Sequence, residues 1–598
     1  MIRKDKKIHK GGIVKTQIRI VEGYRPGPGL APKQRTIKSF GYLEDQIDQE
    51  KFMAEVAEFD ANSKKNASPR MDVPSTAKMY SEGNRRLNYG YKFLEAVYNQ
   101  LEIDQFIKAQ VKTRKIRGEN SFESIFKFLV LLRILSPDSK RASCQLKNNF
   151  YEINTEFTLQ DVYRALDIYA DFEVELQRYL NEKVKEKIGR DLSYAFFDVT
   201  NYFFTIDFPD EDGGLRQRGV SKEHRVDPIV AMGLFMDSNG LPVSMSLFPG
   251  NTSDSVTLRP VMKEIKASYG LGRLIVVADK GLNSSKNIDE ICNNGDGYVV
   301  SQILRGKKGK RYQEMVFDEK GYIMNPEGTS KYKLFTEEYE SIGHDGTHET
   351  RERKVLIYWD KKDAEMAKCK RQEKLRKSEL ATKNNAYGIK KGYQEYTKEN
   401  IVDKDTGEIL KNTGTVLSVD LGKAEKDALY DGFFCIITSE LNYDERKIRE
   451  VYGGLWRIEQ SFRIMKSDLY ARPVFVWTDK HIRAHFLICF TALLIIRMIQ
   501  HRMGGKALSA QRIARALDAA TCQIWRGGIV HLDDVGGAIM FQKTRNAKGE
   551  EMETLAYSDK DEIAEDYSKI QKAFGTDFYD IYPKQEQFNK FLKNIGGA

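Results

Sequence analysis

A chain of 598 residues is too long for one ordinary hydrophobic core, so three or four structural units are expected. With 41% hydrophobic residues it has apolar surface enough for several cores, which excludes a globally disordered protein. The balance of 96 Lys and Arg against 86 Asp and Glu, a formal +10, permits a nucleic-acid partner without requiring one.

Residues 1–50 alternate apolar and polar positions around the turn-like "RPGPGLAP" and predict a small β-hairpin unit. The polar stretch Asp60–Asp72 reads as a linker. Residues 75–188 turn helical, with "FESIFKFLVLLRIL" and "LQDVYRALDIYADFEVELQRYLNEKVKEKI" separated by "SPDSKRAS". Such short helices suit a DNA-binding region and equally suit a plain helical bundle. From 190 to 303 the order becomes strand, hairpin, helix, strand, helix, strand, which predicts an α/β domain with a mixed sheet. Within it "DSNG" is a hairpin-turn signal. "GNTSDS" offers caps before an amphipathic helix, with Asn251 and Asp254 read as ordering the turn. Residues 304–430 interrupt that order as a charged, β-rich insertion that includes "RYQEMVFDEKGYIM", "ERKVLIYWD" and one basic helix. The α/β domain resumes over 431–503, and 504–598 read as a helical C-terminal region suited to oligomerisation or DNA contact.

The longest apolar run, Phe486–Ile496, is shorter than a bilayer crossing, and the basic N-terminus has no apolar signal core. Its helix is expected to pack across the sheet and support Glu459. The six cysteines form no C-x-x-C pair. A soluble cytoplasmic protein with no membrane partner is therefore expected.

Asp198 and Asp279 each sit in a hydrophobic strand, after "YAFF" and "LIVVA". An isolated buried carboxylate is costly, so such acids are paired, hydrogen-bonded or bound to a cation. Each alone also suits a turn or helix cap. Together with Glu459 on a later helix they form three carboxylates from separate elements, a donor set for two hard divalent cations and for phosphodiester chemistry.

The stretch "YGGLWRIEQSFRIMK" (452–466) spaces Tyr452, Glu459 and Lys466 seven apart. On one α-helix each such step drifts only about 20°, so all three would project from one stripe, with Arg463 close to the same face. Trp456 is expected to pack against the sheet.

Taken in order, "FFDVT", "PGNTSD", "VADKG" and "YGGLWRIEQSFRIMK" resemble the DDE transposases of bacterial insertion sequences, in the branch with a YREK-type signature and a strand-rich insertion. That resemblance spans roughly residues 190–500 and implies an RNase H-like fold. It implies Asp198, Asp279 and Glu459 as catalytic, metal-binding residues holding two Mg²⁺ ions, with Mn²⁺ as a substitute. Tyr452, Lys466 and, in place of the pattern's arginine (Leu455 here), Arg463 would contact DNA. Double-stranded DNA, as transposon ends and target, would be the substrate, and a homodimer would form on it. The resemblance further implies nicking at the element's end, followed by attack of the freed 3′-OH on target DNA.

The loop "GGLRQRGVSKEHR" places Arg216, Arg218, Lys222, His224 and Arg225 near Asp198, in reach of the phosphate backbone or as a solvated loop. Trp359 suits stacking on a displaced base and equally an insertion core. His481 and His485 have a metal-pair spacing without a third ligand and read as helix surface or core residues. Two rival readings remain open: a transposase-derived protein that binds DNA without catalysis, and a structure-selective nuclease without strand transfer. Acid–base chemistry of the glycosidase kind also uses carboxylates, but it does not explain the basic loop or the motif order.

Overall fold

The computed structural model describes residues 2–8, 13–24, 33–65, 85–116, 122–153, 156–211, 213–221, 226–269, 272–306, 309–383, 396–401, 415–525, 529–533, 535, 540–545, 551–556 and 562–595. The chain divides into two compact units. One comprises Met1–Asn84, Ile524–His531 and Asp580–Gln585; the other comprises Arg85–Gln523, Leu532–Tyr579 and Glu586–Ala598.

In the smaller unit, strands β1 (Ile2–Ile8), β2 (Val14–Tyr24) and β3 (Lys33–Tyr42) pair antiparallel, so the expected hairpin has a third strand. Helix α1 (Gln49–Lys65) sets Phe52, Val56 and Phe59 at helical spacing against Ile18 and Ile20. The stretch read as a linker therefore begins as helix; residues 66–72 lie outside the described residues.

The larger unit opens with a short strand β4 (Leu87–Asn88) and the helices α2 (Tyr91–Gln100), α3 (Ile103–Thr113), α4 (Phe122–Leu135), α5 (Lys140–Gln145), α6 (Leu159–Ala170) and α7 (Glu173–Ile188). "SPDSKRAS" is not merely a spacer: Ser139 caps α5 by accepting from Ala142 N.

The sheet follows: β5 (Ala195–Phe203), β6 (Ile229–Asp237), β7 (Pro242–Pro249), α8 (Asp254–Tyr269), β8 (Ile275–Ala278), α9 (Ser285–Asn293) and β9 (Gly297–Ser301). These strands lie in the order β7-β6-β5-β8-β9. The first three pair antiparallel, and β5, β8 and β9 run parallel. This is the RNase H-like arrangement expected from the sequence. The β6–β7 turn is the predicted hairpin, with Gly240 at φ +80° and the Asp237 carboxylate, which accepts from Leu241 N, buried against Arg190.

The segment 304–430 contributes α10 (Lys310–Phe317), β10 (Ile323–Met324), β11 (Ser330–Ile342), β12 (His348–Asp360), α11 (Lys361–Lys383), β13 (Thr397–Ile401), β14 (Thr415–Val419) and α12 (Leu421–Ala428). Then come β15 (Phe433–Thr438), α13 (Glu445–Gly453), α14 (Trp456–Arg463) and α15 (Asp479–Met503). "RYQEMVF" forms a helix rather than a strand, burying Tyr312 and Val316 four residues apart. Strand β12 pairs with β15 and β15 with β9, so the insertion's long hairpin continues the same sheet to nine strands. After 503, "SAQRIARALD" is helical as read, whereas Thr521–Trp525 forms a strand, a choice its β-branched and aromatic residues favour.

Helix α15 corrects the reading of its apolar run. With its C-terminal turn it spans Asp479–Lys506, long and apolar enough by length and composition to cross a membrane, yet 94% of its apolar window is buried inside the protein. It packs chiefly on α4 and α6 and meets the sheet at β7 and, through Phe486 on the Tyr202 ring, at β5. Near it are two buried cations, Arg133 and Lys140. Arg133 donates to the Leu469, Tyr470 and Asp138 carbonyls, while Lys140 Nζ has no hydrogen-bond partner among the described residues. Burial, then the Arg133 charge, pushes the Lys140 ammonium down from 10.5 to about 7. The unfolded chain therefore holds more protons than the folded one between those values, and stability rises with pH across that window. Lys140→Met is expected to raise the melting temperature at pH 7 and to flatten that rise; thermal denaturation at a series of pH values checks both.

Candidate active site

Parallel pairing sets the site. Ala195 lies level with Val276 and Phe196 with Val277, and this register continued two residues brings Asp198 level with Asp279. Likewise Ala278 pairs with Val300, which puts Ser301 of β9 level with Asp279. Ala195, Phe197, Val199, Val276 and Ala278 point into the core under α8, so Phe196, Asp198 and Asp279 turn to the other face. Both acids are half-buried. Asp198 Oδ1 accepts from Val199 N at 2.7 Å. Asp279 Oδ1 accepts from Ser301 Oγ at 2.8 Å and from Tyr452 Oη at 3.3 Å. Burial, with the Asp279 and Glu459 charges adding to it, holds the Tyr452 hydroxyl well above its ordinary pKa, so it remains a donor. A cavity of about 530 Å³ opens beside this cluster, lined by Asp279, Ser301, Tyr452, Phe433 and, from α11, Asp363.

The single straight helix expected over 452–466 is corrected. Helix α13 ends at Gly453 and α14 begins at Trp456. Between them Leu455 N donates to Tyr452 O and Arg457 N to Gly454 O, tight three-residue turns in place of four. Gly454 is required here: a Cβ would come within 2.4 Å of the Phe196 ring. After Arg463 the helix loosens into a π turn, Ile464–Asp468, which carries Lys466. The stripe is thus re-aimed at both ends. Tyr452 reaches Asp279, Glu459 is exposed on α14, and Lys466 Nζ stands 5.6 Å from the Tyr202 ring of β5. Arg463 is exposed on the same helix. Trp456 does not pack against the sheet but is 54% exposed, beside Arg457, because the tight turn rotates it outward. Leu455 is buried.

Helix α14 is held from behind by a residue the sequence reading missed. Arg497 of α15 is buried and donates to Ser461 Oγ, Gln460 Oε1 and the Arg457 carbonyl, bracketing Glu459 in sequence. A lone arginine closing an apolar helix was the visible signal. Ser301, at the end of its strand, was the other.

A transposase DDE domain model matches residues 212–495, and an IS1634 family transposase N-terminal domain model matches residues 2–69. The chain belongs to the insertion-sequence DDE transposases. The first match includes Asp279 and Glu459 and begins after Asp198. No curated protein matches. Among solved structures, the chain is similar to a piggyBac transposase synaptic complex with hairpin DNA, at 10% identity and TM-score 0.32, covering 72% of this chain and 78% of that one. It is also similar to a Mos1 transposase paired-end complex with left transposon end, at 13% identity and TM-score 0.14, covering 44% and 68%. Likenesses this distant carry no argument about the site.

In the transposase the acids offer oxygen ligands only, which fits a hard divalent cation. Among the described residues no three His, Cys, Asp or Glu side chains stand close enough to form a metal cage. Of the basic loop, Arg216 pairs with Asp210 and lies near the Phe204 and Trp477 rings, and Arg218 donates to Asp207 O at 2.6 Å. Lys222, His224 and Arg225 lie outside the described residues. The loop's first half is pinned by main-chain bonds between Gln217 and Ile229 and from Gly250 N to Leu215 O. Trp359 donates its Nε1–H to Asp431 O and packs near Phe433, so its ring belongs to the insertion's packing rather than to the acid cluster. His481 pairs with Asp167, and His485 is buried against Ala471 O, as a surface and a core residue.

Arg497→Lys keeps the charge but loses the guanidinium fork. It is expected to lower DNA cleavage about 10- to 100-fold, the range for losing an outer-shell partner, with end binding retained. Single-turnover cleavage alongside anisotropy checks this.

Proposed function

We propose that this transposase cuts phosphodiester bonds at the ends of its element in a divalent-metal-dependent reaction and joins the freed 3′-OH to target DNA. The observation that carries this reading is the level placement of Asp198 and Asp279 on adjacent parallel strands, with the Glu459 helix on the same face. Asp198, Asp279 and Glu459 would hold two Mg²⁺ ions, with Mn²⁺ as a substitute. Bound there, the ions would supply charge to polarise the phosphodiester and to favour the attacking and leaving oxygens.

The chain's own residues do the rest. Ser301 and Tyr452 fix one oxygen of Asp279, and the other would serve as a ligand to a cation. Arg497 holds α14, and with it Glu459, against the strand ends. Lys466 and Arg463 contact phosphate oxygens near the cut, while the one Tyr452 hydroxyl proton stays with Asp279. Arg218 and Lys222, His224 and Arg225 follow the backbone further out; Arg216, paired with Asp210, orders the loop that carries them. Trp359 supports the insertion, which lies along the DNA. The helical region 75–188 contacts the element end, and 504–598 contributes to a homodimer that holds two ends together. The protein works in the bacterial cytoplasm, at the nucleoid.

The test is cleavage of a labelled duplex carrying the element's own end, with Mg²⁺, by wild type and Glu459→Ala. Nicking at the end is expected to need Mg²⁺, to disappear in the variant and to leave DNA binding intact. Joined products on adding target DNA separate a transposase from a nuclease. Equal cleavage by both proteins would refute the role given to Glu459. The double variant Ser301→Ala, Tyr452→Phe is expected to raise the Mg²⁺ concentration for half-maximal cleavage about 10- to 100-fold; a Mg²⁺ titration reads it.

A further inference from the structure

Where α4 gives way to α5, two cations are buried close to α15. Arg133 of α4 is 4% exposed, and Lys140, the first residue of α5, is 3% exposed. Arg133 gives Nη1 to the Leu469 and Tyr470 carbonyls, each at 3.4 Å, and Nη2 to the Asp138 carbonyl at 2.8 Å. Its Nε and the Lys140 Nζ have no hydrogen-bond partner among the described residues. The two charges act on each other and on His485 of α15, so they share one neighbourhood.

The surrounding groups do not cancel this charge. Asp138, whose carboxylate acts on Arg133, accepts from Ser139 N through Oδ1 at 2.5 Å. Burial raises the Cys489 and Cys144 thiols above their ordinary range, so both stay neutral. His485 bonds the Ala471 carbonyl through Nε2 at 3.3 Å, and because a carbonyl only accepts, the ring donates there. Burial, then the Lys140 and Arg133 charges, holds its pKa well below 6.5, and the ring adds no charge. A buried cation without a counter-charge is costly. Lys140 can relieve that cost by losing a proton, but the Arg133 guanidinium cannot. A buried water would satisfy the open N–H groups and leave the charge uncompensated.

We infer that Arg133 and Lys140 hold a buried monovalent inorganic anion, chloride, which accepts from Lys140 Nζ and Arg133 Nε. A small single charge suits two donors, whereas a phosphate dianion would bring a far larger desolvation cost and more oxygens than there are open donors. The site serves the catalytic face from behind. Arg133 and His485 hold the carbonyls of Leu469, Tyr470 and Ala471, the stretch by which the chain leaves the π turn bearing Lys466. The anion keeps both cations charged and secures that stretch without touching DNA.

The experiment is thermal denaturation of the full-length protein in sodium chloride against sodium gluconate at equal ionic strength, at pH 6 and pH 9. Gluconate is too large for the buried pair. At pH 6 the wild-type melting temperature is expected to climb with the logarithm of chloride concentration and to exceed that in gluconate. Because Lys140 loses its proton near 7, half-saturating chloride is expected to rise about 100-fold between pH 6 and pH 9. Lys140→Met is expected to show no difference between the two salts, so its stability gain over wild type at pH 7 is largest in gluconate and shrinks as chloride is added. Wild type that responds alike to both salts at pH 6 overturns the site. A chloride response of equal strength at the two pH values, or one that survives in Lys140→Met, also overturns it, since the anion then binds elsewhere.

Discussion

The site depends on three parallel strands ending level with one another. Once β5, β8 and β9 are paired in register, Asp198, Asp279 and Ser301 come to one edge of the sheet. The two-residue alternation of the strands then turns both acids away from the apolar core, and only one face of the sheet remains available to complete the cluster. Two neighbouring carboxylates repel each other. The arrangement counters this locally with hydroxyl donors from Ser301 and Tyr452 and leaves an oxygen-rich edge suited to a cation.

The face those acids occupy is covered by a helix path that is regular only in its middle. The tight turn at Gly453–Leu455 lets the backbone sit on the Phe196 ring, and the π turn at Ile464–Asp468 re-aims the chain before it leaves the sheet. A path broken at both ends needs an external support, and α15 provides it through one buried guanidinium. Burial and the neighbouring Arg457 and Arg463 cations push the Arg497 pKa down to about 10, still above neutral, so the support keeps its charge under ordinary conditions.

Much of this was legible in the sequence. "FFDVT" and "VADKG" place an acid inside or just after an apolar strand, a local pattern that needs no knowledge of the rest of the chain. The mixed sheet, the "DSNG" turn and the helix after "GNTS" are local in the same sense. What escaped was set by distant partners. Nothing near Ser301 or Arg497 announces Asp279 or the α14 groups they bond, which lie 22 and 36–40 residues away in the chain. The paired glycines 453 and 454 were visible, but the ring that makes Gly454 necessary is on β5. "RYQEMVF" has a strand-like composition, and only the spacing of Tyr312 and Val316 betrays the helix. That 304–430 would continue the sheet was hidden because its β12 strand reaches β9 only through β15, which follows it by more than seventy residues.

That continuity has a mechanical consequence. A domain hung from a flexible tether can be pulled without disturbing its host, but β11 and β12 are tied to the acid-bearing strands rung by rung through β15 and β9. Load applied to the tip of this thirteen-residue hairpin has no slack in the ladder to take it up and passes along the sheet as twist. The first residue of the acid cluster it meets is Ser301, whose hydroxyl donates to Asp279. Whatever grips the hairpin thereby acts on the carboxylate like a hand on a lever.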